Sequence, residues 1–301
     1  MRLGSRNKRV QMLDDFGDIV KRQEPLAAYT YLRVGGPAEF LVQPRSVEEL
    51  TGVVQQCFQH KIPLRVLGGG CNVLIPDEGV KGAVLRLSEP AFTQVSVEAR
   101  RVRAGTGAAL SALIGQAVRA GLTGLETLVG IPGSVGGAVR CNAGDRSGDI
   151  GQYVRQVEVL DGSGSRQVRE RDELHFDDHG CNLDDPILLA VEFELDSDHP
   201  DAIYKRMLKA WIHRKAVRPL SFQAAGRIFK NPRGMSAGKL IEQAGLAKTR
   251  VGGAEISERD GNFIVAHPGA SARDIHRLID LARSQVQERF NVELEQEIGI
   301  W

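Results

Sequence analysis

The chain has 301 residues, of which 42% are hydrophobic and 26% charged, as in ordinary globular proteins with room for two or three domains. Its 39 basic and 38 acidic residues leave a net charge of +1, which argues against nucleic acid or an anionic membrane as a partner.

The four cysteines are Cys57, Cys71, Cys141 and Cys181. They are widely spaced and include no C-x-x-C pair, so the sequence predicts neither a metal site nor a disulfide framework. No apolar stretch is long enough to cross a bilayer, and no signal peptide is recognisable. We therefore predict a cytoplasmic protein with free thiols, in which residues 1–24 form a polar N-terminal extension.

In chain order, the first clear pattern is a β-α-β unit. Residues 38–42 and 63–67 have the composition of strands, and between them Ser46 begins a helix with capping-box spacing to Glu49. The second strand runs into Gly68, Gly69, Gly70, Cys71 and Asn72. A strand followed by glycines suggests a phosphate-binding turn, but neither G-x-G-x-x-G nor the Walker pattern is present, which disfavours a Rossmann site.

The remaining elements predict an α+β fold without internal repeats. Helices are predicted at 110–120, 203–212, 236–244 and 275–290, the last capped by Ser271, and strands at 154–160 and 187–195. A polar interruption near 197–201 predicts a domain boundary.

The stretch from Gly121 to Gly144 has seven glycines in 24 residues. Glycine permits positive φ and lets main-chain N–H groups approach a ligand, and such turns bind anions. A tight turn packed in a β-rich core is the alternative, but it accounts for only one or two of the glycines. The composition favours a cradle for a flat or phosphorylated ligand.

Five motifs, in the same order, resemble the UDP-N-acetylenolpyruvoylglucosamine reductase (MurB) family of flavoenzymes. They are YTYLRVGGPAEFLVQP, VLGGGCNVLIPDEG, GLTGLETLVGIPGSVGGAVRCNAG, AAGRIFKNP with AGKLIEQAGL, and GGAEISERDGNFIV with LEQEI. The short C-terminal spacing resembles the family's second class.

The resemblance implies a two-part FAD-binding region of the vanillyl-alcohol-oxidase (PCMH) type and a C-terminal substrate domain. It assigns residues 25–88 and 89–198 to the two FAD-binding subdomains, and residues 199–301 to the substrate domain. Motif by motif, the implied FAD contacts are Val34, Gly35, Gly36, Gly68, Gly69, Gly70, Cys71, Asn72, Gly130, Ile131, Pro132, Gly133, Ser134, Gly136, Gly137, Asn142, Ala143 and Gly144. Cys71 stands where the family more often has serine, which weakens one phosphate hydrogen bond.

The family's reaction, a step of peptidoglycan synthesis, reduces the enolpyruvyl ether of a UDP-sugar. NADPH reduces FAD and leaves, and the substrate then takes its place. The resemblance implies that Lys215, Lys230 and Asn231 bind the UDP diphosphate, although Lys215 fits a solvated helix end equally well. Glu297 matches the family's catalytic glutamate, a role that only the motif distinguishes from that of a solvated carboxylate near the end of the chain.

The expected catalytic motifs depart from the family at three places. Arg227 replaces the serine or cysteine that donates a proton, and an arginine cannot donate one at neutral pH. The family's Y-R-x-S motif falls on residues 178–181, where His179 is a weaker cation and Cys181 a candidate acid. Asp260 replaces a histidine.

These departures leave two interpretations open. The first is a reductase in which Arg227 stabilises the oxyanion, while Cys181 or water protonates carbon. The alternative is a flavin-binding homologue that has lost the reaction and serves as a binding or regulatory protein. An unrelated flavin oxidase of the same fold fits the C-terminal motifs less well. We predict the reductase, acting as a monomer on a UDP-sugar.

Overall fold

The computed structural model describes residues 13, 15–145, 147–177, 180–217 and 226–301. Within them the chain divides into two units, each assembled from separate stretches of sequence. The first unit holds the described residues up to 24 together with 38–69 and 81–211. The second holds 25–37, 70–80 and the described residues after 211. Two short stretches of the N-terminal half therefore belong with the C-terminal part of the chain.

The helices and strands of the described residues are as follows. The α-helices are α1 (Val47–Gln59), α2 (Pro90–Thr93), α3 (Leu110–Arg119), α4 (Val135–Arg140), α5 (Pro200–Val217), α6 (Ala237–Gln243) and α7 (Ala272–Phe290). The first ten strands are β1 (Val20–Pro25), β2 (Pro37–Val42), β3 (Leu64–Val66), β4 (Val73–Leu74), β5 (Val80–Leu85), β6 (Val95–Glu98), β7 (Arg101–Gly105), β8 (Leu122–Thr123), β9 (Gly144–Asp145) and β10 (Gly148–Asp149). The others are β11 (Val154–Leu160), β12 (Arg166–Glu170), β13 (Phe176–Asp177), β14 (Gly180–Cys181), β15 (Ile187–Glu194), β16 (Asp196–Ser197), β17 (Arg250–Val251), β18 (Ala254–Ile256), β19 (Ile264–Ala266) and β20 (Gly299–Ile300).

The first unit contains a four-stranded sheet in the order β1-β2-β5-β3, covered by α1. The predicted cap of α1 is confirmed, since Oγ of Ser46 accepts from the Glu49 N–H at 3.3 Å. Residues 20–24, which we predicted as part of a polar extension, are instead most of β1. Polar residues suit an edge strand, because only a little of its surface has to be buried, and this hid it from the hydrophobic pattern.

The first unit also contains a five-stranded antiparallel sheet in the order β12-β11-β15-β7-β6. The two predicted strands β11 and β15 pair with each other, with Val157 opposite Val191. Apolar residues of α3 and α4 pack on this sheet in one hydrophobic core. Helix α4 and the loop before it lie in the glycine-rich stretch, which the sheet therefore supports.

The second unit packs α6, α7 and the three-stranded sheet β17-β18-β19 around its own core. Leu32, Val34 and Leu74 contribute to this core, and β4 pairs in parallel with β20. Helix α7 begins at the predicted cap, where Ser271 and Asp274 form a reciprocal capping box. No helix among the described residues combines the length and apolar character that spanning a membrane would require.

Candidate functional site

Two glycine loops of the first unit approach each other through their main chains. A Cβ at Gly69 would lie 2.6 Å from Cα of Gly133, and one at Gly68 would lie 2.5 Å from Oγ of Ser134. Neither position accepts a side chain without movement of its neighbour. The structure therefore brings together two of the three glycine clusters that the sequence predicted to bind a cofactor.

The loop from Gly130 to Ser134 leads into α4 and is exposed at Gly130. Gly130 and Gly133 have φ of 82° and 124°, a region that favours glycine, and Pro132 between them is exposed. Ser134 caps α4, its Oγ accepting from the Gly137 N–H at 3.3 Å. The side chain of Ile131 packs partly on the core, as does that of Ala143.

Asn142 follows the C-terminal end of α4 and is buried. Its side chain makes hydrogen bonds to other residues of the protein. Nδ2 donates to the carbonyl of Asp177 at 2.6 Å, and Oδ1 accepts from the Gly151 N–H at 3.0 Å. What residues 142–144 can offer a ligand is therefore mainly main chain. Gly144 supports this, because a Cβ there would lie 2.5 Å from Cα of Asp149.

The third glycine cluster, residues 34–36, belongs to the second unit. The Gly36 N–H donates to the carbonyl of Pro76 at 2.8 Å, and a Cβ on Gly36 would collide with the carbonyl oxygen of Asp77. Gly35 has φ of 113°, whereas the side chain of Val34 is buried in the core. The turn is thus pressed against the loop that follows β4.

Cys71 and Tyr31 join their side chains by a hydrogen bond in the second unit. Burial raises the pKa of the Cys71 thiol to about 12, although the bond from Tyr31 opposes the rise. Burial and the neighbouring Cys71 also raise the pKa of Tyr31. Both groups are protonated at neutral pH. Gly70, the residue before Cys71, has φ of 66° and lies against the carbonyl of Tyr29.

The predicted catalytic residues Arg227 and Glu297 lie on paired segments of the second unit. The Glu297 N–H donates to the carbonyl of Ile228 at 2.8 Å, next to Arg227. Asn72 donates from Nδ2 to the carbonyl of Glu297 at 3.3 Å, and the Gly226 N–H donates to the carbonyl of Cys71 at 2.6 Å. Three motifs distant in sequence converge here, and Oε2 of Glu297 is buried.

Asn262 holds this arrangement in place and was missed by the sequence reasoning. It donates from Nδ2 to the carbonyl of Phe229 at 2.7 Å and accepts on Oδ1 from the Phe229 N–H at 2.8 Å. Asp260, which stands where the family has histidine, accepts from the Asn262 N–H at 2.9 Å. The D-G-N-F motif contributes to the resemblance, but its spacing does not indicate which backbone the amide will bind.

Of the predicted diphosphate-binding residues, Lys230 and Asn231 are adjacent in the loop before α6, and Lys215 lies on α5. Nζ of Lys230 forms an ion pair with Glu295, and Oδ1 of Asn231 accepts from the Ala237 N–H at 3.0 Å, at the start of α6. Lys215 is exposed in the last turn of α5. Of the residues matched to the Y-R-x-S motif, Asp178 and His179 lie outside the described residues. Cys181 is half-buried in β14, and burial raises the pKa of its thiol.

The chain is similar to known proteins over nearly its whole length. The model of the UDP-N-acetylenolpyruvoylglucosamine reductase C-terminal domain matches residues 218–301, and that of an FAD binding domain matches residues 38–168. UDP-N-acetylenolpyruvoylglucosamine reductase of Moorella thermoacetica is 42% identical over 284 residues, which cover 94% of this chain and 93% of the relative. The chain belongs to the UDP-N-acetylenolpyruvoylglucosamine reductase family.

Further relatives and solved structures agree with membership of the reductase family. The MurB of Thermus caldophilus is 38% identical, has a TM-score of 0.80 and is matched over 98% of its chain and 94% of this one. UDP-N-acetylenolpyruvoylglucosamine reductase 2 of Symbiobacterium thermophilum is 40% identical over 94% of this chain and 92% of its own. The glucose dehydrogenase Phl p 4.0202, 14% identical with a TM-score of 0.52, is similar in fold alone and is matched over 95% of this chain and 63% of its own. The α+β prediction with an FAD-binding region of this type is confirmed.

Proposed function

We propose that this protein reduces UDP-N-acetylenolpyruvoylglucosamine to UDP-N-acetylmuramate, with FAD as its cofactor and NADPH as the source of hydride. The observation that carries the proposal is the pairing of the Glu297 segment with the Arg227 segment, inside the region matched by the reductase family's C-terminal model. The reaction is a step of peptidoglycan precursor synthesis. We further propose that the protein acts as a cytoplasmic monomer.

The glycine loops of the first unit fit FAD. Gly68 and Gly69 lie so close to Gly133 and Ser134 that side chains there would collide, so the two loops meet through their main chains. Main-chain N–H groups in glycine turns suit a diphosphate, and a flat ring requires a surface without side chains. Residues 130–137 and 142–144 would hold the cofactor. When bound, FAD supplies the uptake and delivery of hydride.

Arg227 is proposed to stabilise the negative charge that develops on the substrate. Addition of hydride to the terminal carbon of the enolpyruvyl group moves an electron pair toward the substrate carboxylate. A guanidinium, which is always protonated, can neutralise that charge with two parallel hydrogen bonds. Arg227 is half-buried and follows Gly226, whose N–H is held by the carbonyl of Cys71. A fixed main chain limits the region that the cation can reach.

Glu297 is proposed to interact with the substrate carboxylate, and Cys181 is proposed as a proton donor. A carboxyl group next to a substrate carboxylate is useful when it is protonated or paired, and the main chain of Glu297 is held on both sides by Ile228 and Asn72. The carbon next to the ether oxygen must receive a proton. Cys181 is a candidate donor because burial keeps its thiol protonated, and water is the other.

Lys230 and Asn231 are proposed to bind the UDP diphosphate, with Lys215 as a third contact. Binding would exchange the ion pair of Lys230 with Glu295 for one with a phosphate oxygen. Since Oδ1 of Asn231 already accepts from the Ala237 N–H, its Nδ2 is the atom that would donate to the phosphate. Lys239→Ala, an exposed lysine on α6, is a matched control for Lys230→Ala.

An anaerobic half-reaction tests the function. The flavin is reduced with NADPH, UDP-N-acetylenolpyruvoylglucosamine is added, and the return of the oxidised flavin spectrum is followed. We expect reoxidation at a rate consistent with turnover, together with formation of UDP-N-acetylmuramate. Substrate binding without reoxidation would overturn the proposal and support a homologue that binds but no longer reduces. Size-exclusion chromatography with light scattering tests the monomer.

A further inference from the structure

A short hairpin stands at the C-terminal end of α4. Its strands β13 and β14 pair Phe176 with Cys181 and Asp177 with Gly180. This hairpin carries Cys181, the candidate proton donor, and the residues that end α4 are those expected to hold the flavin. Contacts between them therefore bear on the position of a donor relative to the cofactor.

The end of α4 is a Schellman motif centred on Asn142. The Ala143 N–H donates to the carbonyl of Ala138 at 2.8 Å, and the Asn142 N–H donates to that of Val139 at 3.1 Å. Asn142 has φ of 43°, a left-handed conformation that asparagine tolerates better than most residues. The backbone geometry alone therefore explains a glycine or an asparagine at this position.

The side chain of Asn142 distinguishes between these two residues. Its amide donates to the carbonyl of Asp177, in the first strand of the hairpin, and accepts from the Gly151 N–H. A glycine would keep the helix end but lose both bonds. The buried amide thus ties β13 to the main chain of residues 142–144.

Arg140 makes the corresponding contact on the other side of the hairpin. Its guanidinium donates to the carbonyls of Leu183 and Asp185, just after β14. The carboxylate of Asp185 is in turn held by Arg169, whose Nη2 lies 2.8 Å from Oδ1. Because α4 holds the chain on both sides of the hairpin, the hairpin cannot shift without breaking one of these contacts.

We propose that Asn142 is a positioning residue, assisted by Arg140, which sets the hairpin carrying Cys181 against the flavin-binding main chain of residues 142–144. This inference rests on the proposed function. The proposal predicts different effects on the two half-reactions. Reduction of FAD by NADPH should not depend on the hairpin, whereas proton delivery to the substrate should. Loss of the bond from Asn142 to Asp177, which we call the tether, should leave the first half-reaction unchanged and slow the second.

Asn142→Asp is the sharpest variant, since it keeps the shape, the left-handed preference and an acceptor for Gly151 but loses the donor to Asp177. We expect FAD affinity within about threefold of wild type, because the main chain that binds the cofactor is retained. Reoxidation by substrate should fall at least about tenfold, as a displaced donor costs that much or more. Asn142→Gly removes both hydrogen bonds of the side chain without adding a charge.

Alkylation of Cys181 reports on the hairpin without any turnover. Iodoacetamide reacts with thiolate, so release of the half-buried Cys181 thiol should raise the alkylation rate about tenfold. Mass spectrometry of the Cys181 peptide separates this thiol from the other cysteines. Gln152→Ala is the control. Within the described part of the chain, the Gln152 side chain donates to Asp149 at 3.0 Å and does not contact the hairpin, so this variant should leave both readouts unchanged.

The outcomes decide the proposal. Slower reoxidation with faster Cys181 alkylation and retained FAD supports it. Loss of FAD with unchanged alkylation would assign Asn142 to the cofactor cradle alone, and faster alkylation with wild-type reoxidation would make the hairpin's position irrelevant; either result overturns it. If wild-type protein itself is not reoxidised by the substrate, the proposed function fails, whereas unchanged alkylation in Asn142→Asp refutes the tether independently.

Discussion

The side chain of Asn262 takes both backbone hydrogen bonds of Phe229, as an adjoining strand would. Both residues are buried, so the main-chain groups of Phe229 have no access to water in place of this partner. The segment that carries Arg227 is thereby held between Asn262 on one side and residues 295–298 on the other.

Asn262→Ala should therefore destabilise the protein. Leaving the buried N–H and C=O of Phe229 without their partners costs about 2–4 kcal/mol of unfolding free energy. Urea denaturation measures it, and Gln287→Ala, which removes an exposed bond to Asn291, should change stability by less than about 0.5 kcal/mol. A loss below about 1 kcal/mol for Asn262→Ala would show that the two bonds from Asn262 to Phe229 contribute little to stability.

Glu126 predicts a pH-dependent contribution to stability. Burial alone would raise the pKa of this carboxyl, but hydrogen bonds from Arg206, Gly124 and Thr123 outweigh burial and lower it. A lowered folded pKa stabilises the protein above the unfolded value, and this stabilisation is lost as the pH falls through the folded value. Glu126→Gln should thus cost about 2 kcal/mol at neutral pH, and the cost should shrink below about pH 4.3.

Unfolding of wild type and Glu126→Gln across acid pH checks this sign. The partly exposed pair of Glu158 and Arg103 provides the control, since Glu158→Gln should cost less than about 1 kcal/mol at any pH. A deficit for Glu126→Gln that grows on acidification would contradict the prediction.

Gly69→Ala should abolish tight FAD binding. The added methyl group would lie 2.6 Å from Cα of Gly133, so one of the two loops must move out of its binding position. We expect the FAD dissociation constant to rise at least about tenfold, measured by flavin fluorescence during titration of the apoprotein. Gly115→Ala in α3, where a Cβ meets only the flexible end of Arg119, should leave it unchanged. Equal FAD binding by both variants would disprove the role of the cradle.

Cys71→Ser should tighten FAD binding. A hydroxyl is a stronger hydrogen-bond donor than a thiol, and one hydrogen bond from that hydroxyl to a phosphate oxygen is worth about 1 kcal/mol, or about fivefold in the dissociation constant. Cys57→Ser is the matched control, because Cys57 is buried in the core on α1 and should affect stability but not FAD. Weaker FAD binding by Cys71→Ser would indicate that the thiol and Tyr31 suit the cofactor as they are.

Arg227→Ser distinguishes a lost proton donor from an anion stabiliser. If Arg227 stabilises the developing charge, the serine variant should be reoxidised by substrate about a hundredfold more slowly, with unchanged flavin reduction by NADPH. Arg227→Lys should recover part of the rate, because it restores the charge without the planar fork. Faster reoxidation of Arg227→Ser would mean that arginine merely replaced the acid, and an unchanged rate would argue against both roles.

The sequence predicted those features that depend on residues close together in the chain. Ser46 and Ser271 predicted the starts of their helices because a capping side chain bonds to a backbone N–H three residues later. Apolar residues recur regularly in α1, α7, β11 and β15 because each of these elements buries one face. The glycines at 68–69 and 130–137 predicted a close main-chain approach, because no other residue permits it. Which loops approach each other was not contained in either stretch.

The sequence by itself therefore determined the family, the cofactor and most of the helices, because motifs and periodicities are properties of neighbouring residues. Only the tertiary structure decided what Asn142, Asn231 and Asn262 do, since an amide bonds whichever backbone the fold brings to it. It also decided that the stretches 25–37 and 70–80 join the C-terminal unit. Leu32, Val34 and Leu74 are buried in that core by contacts with residues far away in the sequence. The sequence pattern within the two stretches therefore cannot predict these contacts.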